Sequence, residues 1–172
     1  MPAPLYAIDR VPIDKSRGRA RPSGGMSRLD VLARLLGMGR NATPTRRWLI
    51  AAVLSHLVIS IVHGQAHAGA HVPLPRAANL FVFVVIVAGP LVGLALTWRA
   101  ERPGAWLVAI TMAGSLVFGF VNHFVLSSPD HVAHVAPPWR QLFATTAVLL
   151  ALTEALGSGL AIRLARERET VS

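Results

Sequence analysis

Three histidines, His56, His63 and His67, follow one another at steps of seven and four residues. At about 100° per residue in a helix they fall within about 40° of each other, so they line one face. Imidazole is the commonest transition-metal ligand and also a proton carrier near neutral pH. The pair His63-x-x-x-His67 presents two ring nitrogens to one ion across a single helical turn. His123 comes later beside Asn122, and Asp130, His131 and His134 follow it closely. Nitrogens from a facing helix or loop complete a trigonal or tetrahedral set, and imidazole suits zinc, copper or iron. The candidate ligands are therefore His63, His67, His123, His131, His134 and Asp130. Asn122, Asn79 and His71 are candidate hydrogen-bonding groups that orient the rings.

The same histidines fit a second cofactor. Axial imidazoles from two helices at one level clamp haem b, and His63 or His67 with His123 would do so. Gly64, Gly93 and Gly119 would leave room for the porphyrin. The chain has no cysteine, which removes thiolate metal sites, iron–sulfur clusters and disulfides and weighs against a soft Cu(I) site.

His56 belongs to another level. It lies nine residues beyond Arg47, and Glu154 lies nine residues before Arg163. On helices both are about 13 Å from a common boundary. A carboxylate at that depth needs a partner or a proton, and His56 is the ionisable side chain that matches it. The pair reads either as a hydrogen bond that fixes helix register or as a step in a proton relay.

Four apolar blocks must position these groups, at about residues 48–68, 77–98, 104–126 and 142–164. Each holds about 20 residues, enough for a helix to cross a hydrocarbon core of about 30 Å. Charged residues are 15% of the chain, against about 25% in soluble domains. With short loops between the blocks, sequential helices are antiparallel neighbours. The expected fold is an all-α integral membrane four-helix bundle, up-down-up-down.

Fifteen of the seventeen Lys and Arg residues fall before the first block, between the second and third, or from Arg163 onward. Arg76 and Arg140 alone mark the opposite side. The positive-inside rule then puts both termini in the cytoplasm and the histidine-rich end outside. Trp48, Trp98 and Trp106 fit the inner interface and Trp139 the outer one. The Arg-, Ala- and Val-rich composition fits a bacterial inner (plasma) membrane. A net charge of +9 is accounted for by this topology, and without aromatic interleaving or a binding motif nucleic acid is excluded as a partner.

Residues 1–46 form a basic cytoplasmic tail that is expected to be mostly disordered. Within it, residues 27–39 have the leucine spacing of a short interfacial helix. Residues 47–165 form the bundle, and 166–172 a second cytoplasmic tail. Hydrolase, P-loop and dinucleotide motifs are absent, and the doubled His-His box of membrane di-iron desaturases is missing too. Three functions fit: a membrane protein with an outer-face transition-metal site for metal handling or redox chemistry, a haem b electron-transfer protein, or a non-catalytic small subunit bound to other membrane subunits. The lipid bilayer is the partner common to all three.

Overall fold

A computed structural model describes residues 43–167. The expected tails, including the proposed interfacial helix at 27–39, lie outside the described residues apart from short stretches beside the bundle. Among the described residues there is no strand, and four helices are long and apolar enough to cross a membrane: α1 (Pro44–Gly69), α2 (Arg76–Leu96), α3 (Glu101–Val125) and α4 (Pro137–Glu167).

Local chemistry sets the helix ends. Thr43 caps α1, its side chain accepting the Arg46 N–H at 3.3 Å, with Pro44 in the first turn, where its missing N–H costs nothing. At the other end His71 adopts a left-handed conformation with φ 53°, and the Val72 N–H turns back to the His67 carbonyl at 3.1 Å. Helix α4 starts earlier than residue 142, where the apolar run begins, because Pro137 and Pro138 suit a first turn.

Two stretches wind more loosely, as π-helix: Val82–Ala88 in α2 and Val121–Val125 in α3. The first precedes Pro90, which has no N–H to offer the Ile86 carbonyl one turn back. That carbonyl is thereby more open to a donor from a neighbouring helix.

The bundle is tight at one end and open at the other. At the arginine-rich end, Leu49, Val53, Val108, Met112 and Leu164 make one fully buried core. There α2 and α3 approach so closely that a Cβ on Gly93 or Gly104 would run into the other helix's backbone. A hydrogen bond from Thr45 Oγ1 to Glu167 Oε1 at 2.7 Å joins α1 to α4. At the histidine end, α4 still packs on α1 and α3, but residues 76–88 of α2 bury no side chain. A smaller cluster, Ala66, Val135 and Phe143 with Trp139 and Val132 against it, closes that end.

The outward faces carry Val58, Ile61, Leu80, Phe83, Ile110, Val117 and Leu152, all more than half exposed. Such a belt suits hydrocarbon rather than water. The fold is that of a four-helix membrane bundle, consistent with a multi-pass membrane protein.

A candidate metal centre

Helix α1 delivers His63 and His67 one turn apart, and the π turn at the end of α3 delivers His123. One ligating atom from each of the three lies within 4.8 Å of the others. His63 and His123 are buried, at 6% and 7% exposure. The rings stand edge to face, with centroids 4.9 Å apart for His63–His67 and for His63–His123. Phe143 packs against all three, at 4.7, 4.7 and 5.2 Å, and with its apolar neighbours screens the cluster from water.

Hydrogen-bond partners bear on which nitrogens carry protons. Thr146 Oγ1 lies 2.7 Å from the Leu142 carbonyl and 3.1 Å from that of Phe143, so its hydrogen has acceptors on its own helix. With that hydrogen there, Thr146 accepts from His63 Nδ1–H at 2.8 Å, and His63 carries its proton on Nδ1. The Nδ1 of His123 lies 3.1 Å from the Asp130 backbone carbonyl and 3.3 Å from Asp130 Oδ1. Both are acceptors, so Nδ1 carries the proton here too. The two Nε2 atoms then present lone pairs to each other across 3.2 Å. Two facing lone pairs repel unless a cation, a proton or a metal ion, sits between them.

That spacing also matches coordination geometry. Metal–nitrogen bonds of about 2.0–2.1 Å in a tetrahedron put ligand atoms about 3.3–3.4 Å apart. His67 is half-buried, its Nε2 lies 3.3 Å from Asp130 Oδ1, and its Nδ1 has no hydrogen-bond partner among the described residues. Asp130 stands behind the histidines, against the His123 nitrogen that points away from His63. Burial pushes the Asp130 carboxyl up, but the His123 N–H and the surrounding imidazoles outweigh burial and hold it below the usual carboxylate value.

The other sequence candidates lie elsewhere. His131 and His134 pair with each other in the loop, ring centroids 5.2 Å apart, and His134 Nδ1 meets the Ser128 carbonyl at 2.7 Å. His71 is exposed beyond the end of α1. Asn122 donates to the Phe118 carbonyl of its own helix at 2.8 Å and faces a separate cleft with Phe81 and Val117. Asn79 donates to the Leu74 carbonyl at 3.1 Å but lines the same cavity as the cluster.

The second level is also assembled. His56 Nδ1 and Glu154 Oε1 are 3.8 Å apart with both side chains buried, too far for a hydrogen bond. The His56 Nε2–H instead donates to the Ile86 carbonyl at 3.0 Å, the acceptor that Pro90, four residues on, cannot serve. Sequence reasoning missed Thr146 and Phe143. Thr146 carried a signal: it is a polar residue at membrane depth eight residues before Glu154, about 80° from it around α4 and within one broad stripe.

The chain matches no family model, no curated protein and no solved structure in comparisons with each. The functional reading therefore rests on the site itself.

Proposed function

We propose that this protein is a multi-pass protein of the bacterial inner membrane, both termini cytoplasmic, holding one transition-metal ion on His63, His67 and His123 near its outer face. The observation that carries the reading is the gathering of three imidazoles with ligating atoms within 4.8 Å of one another, the His63 and His123 Nε2 atoms 3.2 Å apart and an acceptor within reach of each of these two rings' other nitrogen. Metal-bound histidines are held in this manner, with the other ring nitrogen donating to a carbonyl, hydroxyl or carboxylate. Three neutral imidazoles in a dry pocket suit zinc, copper or iron. The charge asymmetry of the loops supports the orientation. A fourth position is left for water or a transferred ligand, which fits metal handling or redox chemistry at the outer face.

Haem fits less well. Axial imidazoles on opposite faces of one haem place their nitrogens about 4 Å apart, twice a metal–nitrogen bond, with the porphyrin between them. His63 and His123 are in contact at 3.2 Å, with no slot for a ring.

The test is to purify the protein in mild detergent, record its visible spectrum and quantify metals before and after incubation with zinc, copper and iron salts. One ion per chain, lost in His123→Ala, is the expected result. A Soret band would replace this reading with haem. A protein that stays metal-free after incubation would instead favour a subunit of a larger membrane complex.

A further inference from the structure

A cavity of about 410 Å³ runs between the helices from the histidine cluster to Glu154. This volume lies within the range of about 300–1,000 Å³ typical of small-molecule sites. Its roof is His63, His67, His123 and Asp130, and its floor is Glu154 with Ser60 and Ser115 nearby. Between them the walls are apolar, built from side chains such as Ile86, Phe118 and Leu150. Roof and floor are about 10 Å apart, from the seven residues that separate His56 and His63 on α1.

Three features show what such a space accepts. The Glu154 side chain is 4% exposed, lines the cavity, and has no hydrogen bond among the described residues; His56 Nδ1 lies 3.8 Å from its Oε1. A buried carboxyl without a hydrogen bond is costly at membrane depth, so a polar occupant would relieve it. The cavity also has a side door. Apart from the Ile86 carbonyl that meets His56, the stretch 76–88 of α2 has little contact with α1, and a Cβ added at Gly64, which lines the cavity, would meet nothing within 4 Å. An occupant can therefore enter from the bilayer. Finally, beyond the floor the fully packed core around Val53, Val108 and Met112 ends the space, so it is a pocket and not a through-channel.

We propose that this cavity is a binding site for the ring of a membrane quinone or quinol, with one ring oxygen at Glu154 and the opposite end toward the histidine cluster. A para-quinone matches the layout: flat, apolar across the middle, with an oxygen at each end and soluble in the lipid from which the door opens. Glu154 suits both redox forms. As an acid it donates to a quinone carbonyl, and as a carboxylate it accepts from a quinol hydroxyl. The Ser60 hydroxyl offers a further hydrogen bond beside it. The binding site stands with or without an ion in the histidine cluster.

The test uses the purified full chain with an azido-substituted ubiquinone as photolabel and decylubiquinone as competitor, followed by peptide mapping. Metal content is measured on every sample, so loss of the ion and loss of quinone binding are read separately. Labelling of α1 or α4 at the cavity, displaced by decylubiquinone, is expected. Gly64→Leu, which fills the door where nothing stands in its way, should reduce labelling at least tenfold while the protein remains folded and keeps its metal. Glu154→Leu should do the same, and Glu154→Gln, whose amide can both donate and accept, should keep more of the labelling than Glu154→Leu. Equal labelling of wild type, Gly64→Leu and Glu154→Leu would overturn the proposal. So would displacement by dodecane as effective as that by decylubiquinone, which would make the occupant a lipid chain.

Discussion

Replacing Thr146 by valine keeps the side chain's shape but removes its hydroxyl, which is both the acceptor beside His63 and the donor to carbonyls of its own helix. In the proposed site, Thr146 Oγ1 accepts from His63 Nδ1–H at 2.8 Å, which leaves Nε2 free to face His123 at 3.2 Å. In Thr146→Val that proton loses its partner, at a cost of about 1–3 kcal/mol if nothing else changes. The ring has an escape: it can shift the proton to Nε2 and donate to His123 Nε2, which is already in hydrogen-bonding range. The metal-free protein then exchanges one neutral hydrogen bond for another, and its stability should change by less than about 1 kcal/mol. Metal binding must undo the exchange. Loss of an outer hydrogen-bond partner usually lowers affinity by about 10–100-fold, which is about 1.4–2.8 kcal/mol. The expected signature is thus weaker metal binding without a weaker fold. Competition with a chromophoric chelator gives the affinity, and thermal unfolding of the metal-free protein gives the stability. Thr146→Ser, which keeps the acceptor, should behave as wild type. Unchanged affinity in Thr146→Val would refute the assignment of protons at this site, and with it the facing lone pairs.

Ala at His63, His67 or His123 should each abolish stoichiometric metal in detergent, read by elemental quantification, whereas His56→Ala, about 10 Å away along α1, and His131→Ala or His134→Ala should retain it. Asp130→Asn keeps the side chain's size but removes the charge behind His123 and His67, so metal affinity should fall by about 10–100-fold in the same chelator competition. Gly104→Ala puts a methyl into the α2 backbone at the tight end, and unfolding measurements should show a loss of about 1–3 kcal/mol with the metal site intact. Reporter fusions after Val72 and Asp130 should read as outside and one after Arg102 as inside; a cytoplasmic signal at Asp130 would reverse the proposed orientation.

The four helices could be read from sequence because hydrophobicity over about 20 residues needs no partner to be recognised, and a period of seven and four is enough to put His56, His63 and His67 on one face. Counting residues from the arginine boundaries brought His56 level with Glu154, and counting along the third block from Gly104 brought His123 nearly level with His63 and His67. Rise per residue fixes depth, but not rotation. Helix rotation and side-chain direction come from packing, and these decided that Asn122 turns to another cleft, that His131 and His134 bind each other, and that Asp130 stands behind His123. Thr146 entered the site because α4 rotates that face toward α1. The Ile86 carbonyl is open to His56 because Pro90, four residues on, cannot serve it. The cavity depends on how far the first half of α2 stands from α1, a distance set by side chains that meet across the bundle and by no local pattern in either helix.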